Sequence, residues 1–199
     1  MKRGITRVLA VDPGLTNTGW ALMEYDVISG NVTIVEIGDL HPGPAADKAE
    51  HRQDVNLFSK RTMTLKLLRN GLTDVMSRIK PDYVAVEDIF FNPQRPMAHA
   101  ALAMWHCVTR LVCLDVLGKT MEIIPTKIAK QELTGSGGNG KISVQKCILL
   151  AEDIKFKPAS LESQLSEHCA DAIAVGYAFV KRNRERIKQE IGITKLTRS

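Results

Sequence analysis

With 199 residues, 44% of them hydrophobic, the chain has apolar material for one well-buried α/β domain, and no linker-like stretch is long enough to separate a second. A net charge of +5 and a pI near 9.1 favour a polyanionic partner and say nothing about fold. Cysteines 107, 113, 147 and 169 form no CxxC pair and have no histidines at zinc-finger spacing, which argues against a structural zinc and for reduced thiols in a cytosolic protein.

The apolar run after Met1-Lys2-Arg3 is short and broken by Asp12, so neither a signal peptide nor a membrane span is expected, and there is no internal repeat. Residues 4 to 12 read as a strand with Val8, Ala10 and Asp12 on one face and Leu9 and Val11 on the other, ending in a Pro-Gly turn. Asp12 is a candidate metal ligand. Residues 19 to 27 and 31 to 37 are β-rich runs around Ile-Ser-Gly, so a three-stranded meander opens the fold. Residues 38 to 56 are polar, carry Pro and Gly, and read as a loop. From 58 to 80, Leu65, Leu68, Leu72, Val75, Met76 and Ile79 recur at helical spacing, predicting an amphipathic helix laid on the sheet.

Residues 81 to 91, Pro-Asp-Tyr-Val-Ala-Val-Glu-Asp-Ile-Phe-Phe, predict a second buried strand delivering an acid, Glu87, where an apolar strand has no packing use for one. The next helix, 97 to 117, is apolar on nearly every face: Met97, Ala101, Met104, Val108 and Leu111 on one side, Leu102, Trp105, Leu114 and Leu117 on others. One face can take the sheet; the other can take either the same helix of a second subunit or the C-terminal helix. A strand at 119 to 125 and a short helix at 126 to 133 bearing Lys127 and Lys130 lead to Thr134-Gly-Ser-Gly-Gly-Asn-Gly-Lys141. Such a glycine-rich loop can approach phosphate closely, though it lacks the ending of a Walker A loop. A helix at 142 to 154 packs through Val144, Ile148 and Leu149, and residues 181 to 188 are strongly basic.

The last helix begins at Ser166-Glu167-His168-Cys169-Ala170-Asp171 and continues in small apolar residues. His168 and Asp171, three apart, share a face, and a helix of Ala, Val and Gly can lie close to a sheet. Each polar group alone has an ordinary reading: Asp12 as a turn opener, Glu87 as an exposed strand end, His168 and Asp171 as caps or solvated groups. The coincidence of all four weighs against those readings.

Three blocks, Val-Asp-Pro-Gly-Leu-Thr-Asn-Thr-Gly at 11 to 19, the run at 81 to 91, and His-Cys-Ala-Asp-Ala-Ile-Ala-Val at 168 to 175, resemble the RuvC-type Holliday junction resolvases of the RNase H-like nuclease superfamily, in the family's order. The resemblance implies an α/β, RNase H-like fold with a mixed five-stranded sheet flanked by helices on both faces. Length and charge along the chain give a domain over 1–182 followed by a basic tail at 183–199 that could extend the last helix or grip DNA. The resemblance places the family's tetrad on Asp12, Glu87, His168 and Asp171, the third position being an acid or a histidine in the family. It further implies two Mg²⁺ ions bridged by Asp12, with Mn²⁺ as a substitute, for metal-dependent phosphodiester hydrolysis leaving 5′-phosphate ends. Phe90 would stack at the exchange point, and Lys130 and Lys141 would hold the DNA backbone. The implied partners are a four-way junction or other branched DNA, a second copy in a homodimer making paired nicks, and branch-migration proteins, with no membrane. The implied setting is the bacterial cytoplasm, from a bacterial or phage genome. Two stretches depart from the family: residues 38 to 56 are longer, and Leu102-Ala-Met-Trp-His106 stands where many members have Gly-Gln-Ala-Arg-Gly. A non-catalytic branched-DNA-binding module is the alternative. An actin-like ATPase fragment, whose first phosphate loop resembles residues 12 to 19, is a lesser one, because such chains need a second similar domain.

Overall fold

The alternation along the first strand decides the layering of the molecule, seen here in a computed structural model that describes residues 4–89, 93–94, 96–135 and 143–192. β1 (Ile5–Asp12) sends Val8 and Ala10 into one apolar layer, and Leu9 and Val11 into the other. β2 (Thr18–Asp26) and β3 (Val32–Leu40) follow it as an antiparallel meander. β4 (Tyr83–Glu87) and β5 (Glu122–Ile124) add in parallel on the other side. A three-residue strand, β6 (Ile154–Phe156), pairs in parallel with the start of β3, so the sheet has six strands in the order β5-β4-β1-β2-β3-β6. Five were expected. The extra strand lies where the sequence reads as the end of a helix, because three residues before Lys157-Pro158 are too few to show a period.

On the Leu9 and Val11 face lie α3 (Lys60–Ile79) and α4 (Pro96–Leu117), with Leu68, Leu72, Met76, Trp105 and Val112 closing the core. The opposite face takes α5 (Thr126–Thr134), α6 (Val144–Leu150) and above all α7 (Glu167–Arg182), whose residues from Cys169 to Val180 are almost all buried. α7 can lie that close because its residues are small. A methyl group at Gly176 would sit 2.0 Å from Met23 Cε and 2.7 Å from Ala10 Cβ. The first stretch of the basic C-terminal segment forms a helix, α8 (Arg184–Glu190), which buries Ile187; Arg184 donates to the Val27 and Ile28 carbonyls.

Residues 38 to 56 are not a loop. β3 runs on to Leu40, and α1 (Pro42–Ala46), a 3₁₀ turn (Ala49–His51) and α2 (Arg52–Phe58) fill the connection to α3. α4 is long and apolar enough to cross a membrane by length and composition alone. Here its Ala101, Trp105, Val112 and Cys113 are buried, while Met97, Met104, Leu111 and Leu114 are exposed. The apolar residues of α4 thus divide into a packed face and an uncovered one, and Trp105 belongs to the packed face.

Candidate active site

β1 and β4 are parallel neighbours, and each ends in an acid: Asp12 on β1 and Glu87 on β4. The period of two that buries Ala10 and Ala85 against α7 also turns Asp12 and Glu87 toward that helix. α7 enters at the same end. Its first turn sits so tightly on Gly19, the partner of Asp12 across the β1–β2 ladder, that a Cβ there would lie 2.3 Å from the His168 carbonyl carbon. Ser166 caps the helix by accepting from the Cys169 amide at 3.0 Å, and its hydroxyl donates to Asp39 Oδ1 at 3.1 Å, tying the cap to the end of β3. The result is a 2.9 Å contact between His168 Nδ1 and Asp12 Oδ2, groups 156 positions apart in sequence.

Asp12 is buried, and burial raises its pKa above the usual carboxylate range against the opposing hydrogen bonds with His168 and Glu87. Glu87 is pushed up to about 7, first by burial and then by its hydrogen bond to Asp12 and that group's negative charge; Thr126 and Lys130 pull the other way. Asp171 is also raised, chiefly by burial, with Lys130 opposing. His168 is raised by its hydrogen bond to Asp12, so it favours the imidazolium. All three carboxylates are thus held toward the protonated acid, chiefly by burial, which marks a surplus of negative charge at the site.

That surplus is the test of whether a divalent metal fits. Three carboxylates and an imidazole, with Glu87 protonated until about pH 7, form a donor set in which a divalent cation would take the place of the retained proton. Among the described residues no three His, Cys, Asp or Glu side chains already surround one point as ligands. Asp12 is instead engaged by His168 and Glu87, and those contacts would have to open for a metal.

Lys130, on α5, is exposed beside the site, lining a hollow of about 180 Å³ with Glu167 and Asp171. Phe90 and Lys141 lie outside the described residues. Sequence reasoning missed the braces around the two strand ends. Trp105 Nε1 donates to Thr18 Oγ1 at 3.1 Å, and Thr18 in turn donates to the Gly14 carbonyl at 2.6 Å, bracing the turn after Asp12. His106 Nε2 contacts the Glu87 carbonyl oxygen at 3.0 Å. Both braces come from the stretch that departs from the family pattern, so the departure itself was the available signal. A larger hollow, about 540 Å³, lies at the other end of the sheet. There Glu190 holds the Tyr83 hydroxyl and Arg186 pairs with Glu122, so it shows no comparable surplus of charge.

The family model described as crossover junction endodeoxyribonuclease RuvC matches residues 8–179. A relative of that name from Wolbachia sp. subsp. Brugia malayi is 28% identical over 176 residues, covering 88% of this chain and 94% of the relative. Another from Xanthomonas euvesicatoria pv. vesicatoria is 28% identical over 187 residues, covering 92% and 93%. Among solved structures, T. thermophilus RuvC in complex with Holliday junction substrate superposes with a TM-score of 0.65 at 18% identity, covering 91% of this chain and 96% of that one. The yeast mitochondrial Holliday junction resolvase gives 0.58 at 12% identity, covering 93% and 84%. The fold matches the α/β, RNase H-like architecture of these resolvases, and the chain belongs to the crossover junction endodeoxyribonuclease RuvC family.

Proposed function

We propose that this protein is a structure-selective endonuclease that cuts Holliday junctions and related branched DNA by metal-dependent phosphodiester hydrolysis, acting as a homodimer in the bacterial cytoplasm. The observation that carries the reading is the convergence of Asp12, Glu87, His168 and Asp171, from three distant segments, at one end of the parallel strands β1 and β4, in a chain whose family is that of crossover junction nucleases.

Asp12, Glu87 and Asp171 would hold two divalent ions, Mg²⁺ with Mn²⁺ as a substitute, and His168 would ligate one of them or orient the attacking water. When bound, such ions would supply positive charge that helps a nucleophilic oxygen approach a phosphate that repels it and that stabilises the negative charge developing on the oxygen that leaves. The chain's own contribution is positional. α7 and the strand ends fix the carboxylates in a partly buried setting, where their charge is poorly screened by water. The hydrogen bond to Asp12 favours the imidazolium form of His168 in the metal-free site, and the ring would give up that proton on ligating an ion. Lys130, exposed beside the site, would hold a backbone phosphate. Phe90, three residues past Glu87, would stack on an unpaired base at the branch point. Products would carry a 5′-phosphate and a 3′-hydroxyl.

Two strands must be cut at related positions, and one site per chain requires two chains. The uncovered stripe on α4 recurs at Met97, Met104 and Leu111, seven residues apart, with Leu114 beside it. That spacing suits pairing with the same stripe of a second copy. The test is a cleavage map on a synthetic four-way junction beside Y-shaped and linear duplexes, with Mg²⁺ or Mn²⁺. Paired symmetric nicks confined to branched substrates are expected. Binding without cleavage would favour the non-catalytic module, and equal cutting of linear duplex would overturn the structure selectivity.

A further inference from the structure

The segment between β3 and α3 is built unlike a core element. No residue of α2 or of the 3₁₀ turn before it is buried. Leu57 and Phe58, at the end of α2, are 67% and 60% exposed. The chain then turns into α3 at Ser59, a non-glycine residue with φ of 78°, a conformation that persists only where its surroundings hold it. The Ser59 amide donates to the Val55 carbonyl at 2.9 Å, and its hydroxyl accepts from the Thr62 amide. The corner is therefore fixed, and it leaves α2 standing off the core.

The position of this segment is informative. β3 ends opposite Thr18 and Gly19, and Gly43 of α1 lies on the turn that follows Asp12, where a methyl group would come within 3.1 Å of the Leu15 carbonyl oxygen and Thr16 Cα. The segment thus stands at the catalytic end of the sheet. Two of its three acids are already matched by lysines, Asp47 with Lys60 at 2.6 Å and Asp54 with Lys66 at 3.2 Å, while Glu50 lies 3.4 Å from His51, a cationic partner only when protonated. Lys48, Arg52 and Arg61 are exposed and, among the described residues, make no side-chain ion pair or hydrogen bond. Arg61 also lines a hollow of about 350 Å³ together with Leu15 and Thr16.

We propose that residues 41–61 form a second DNA-backbone-binding surface, in which Lys48, Arg52 and Arg61 receive the phosphates of a junction arm leaving the catalytic end. The proposal rests on the reading of the chain as a junction nuclease and deepens it. Uncommitted cations beside a site that acts on phosphodiesters are complementary to the same polyanion, and no base need be read there. Their contribution should be dominated by counterion release, which separates them from any apolar contact of Leu57 and Phe58.

The experiment measures junction affinity against salt for the full-length protein with Ca²⁺ in place of Mg²⁺, comparing wild type with Lys48→Ala/Arg52→Ala/Arg61→Ala. Three lost phosphate contacts at about 0.9 each should make the slope of log affinity on log salt shallower by about 2.7. From 50 to 200 mM salt, wild type would then lose about 40-fold more affinity than the variant. The charge-retaining Lys48→Arg/Arg52→Lys/Arg61→Lys should keep the wild-type slope. Lys155→Ala/Lys157→Ala, at the opposite end of the sheet beside Thr33 and Ile34, should keep it also. An unchanged slope in the triple alanine variant, with wild type still binding and cutting junctions, overturns this proposal. Failure of wild type to bind any branched DNA overturns instead the functional reading beneath it.

Discussion

Gly19→Ala should separate the geometry of the site from the stability of the fold. The added Cβ would lie 2.3 Å from the His168 carbonyl carbon, 2.4 Å from its oxygen and 2.6 Å from its Cβ. Comfortable carbon contacts begin at about 3.5 Å, so β2 and the first turn of α7 must move apart by about 1 Å. Neither side yields easily, since the clash is mostly with backbone: one side lies in a sheet ladder, the other in the first turn of a helix. Overpacking of this kind costs about 1–3 kcal/mol, or about 2–12 °C in Tm for a chain of this size. The larger effect is on chemistry. His168 and Asp171 ride on the helix that moves and Asp12 and Glu87 on the strands that do not, and a 1 Å misplacement can cost about 100-fold. Single-turnover cleavage of a four-way junction, measured well below each variant's Tm, should fall by about two orders of magnitude while junction binding persists. Leu72→Ala is the control. It empties a fully buried position on the other face of the sheet at about 2–5 kcal/mol, yet should cut within a few-fold of wild type. Near-normal cleavage by Gly19→Ala, or equal loss in Leu72→Ala, would refute the claim that the α7–β2 contact sets the catalytic geometry.

Asp12→Asn or Asp171→Asn should abolish cleavage and leave junction binding intact or improved, because removing a carboxylate lessens the repulsion of phosphate; cleavage near wild type would sink the site assignment. In the metal-free protein, Tm should fall as pH rises from about 5 to 8. The fold holds the proton on Glu87, whose pKa is raised from 4.5 to about 7, so that contribution is complete below 4.5 and is lost as pH passes 7. Asp12, Asp171 and His168 are shifted in the same direction. Mn²⁺ should reverse the loss at pH 8, and Glu87→Gln should flatten the profile; a metal-free Tm that rises over this range would contradict the charge surplus. Leu111→Glu, on the exposed stripe of α4, should convert dimer to monomer in sedimentation and abolish paired nicking at little cost in Tm. Trp105→Ala should instead cost about 3–5 kcal/mol, because Trp105 is fully buried and braces Thr18, and a charged residue there would test the core and not the interface.

Two strand-end acids on one side of the sheet, and two polar groups on one helix face, were legible from residue order because they rest on local periods. Alternation by two puts Asp12 with Ala10 and Glu87 with Ala85, and a spacing of three puts His168 above Asp171. The long apolar helices were legible for the same reason. Tertiary structure alone decided how these pieces meet: that Gly19 admits the α7 backbone, that Asp39 holds the Ser166 cap, and that Trp105 and His106 reach across to the two strand ends. It also decided that residues 38 to 56 fold into short helices at the Asp12 end of the sheet, and that Ile154–Phe156 closes the sheet as a sixth strand. Those contacts join positions that share no period and are separated by up to 156 residues, so no window along the chain contains both partners. Local order determined which residues could do the chemistry, and long-range packing determined that they stand in one place.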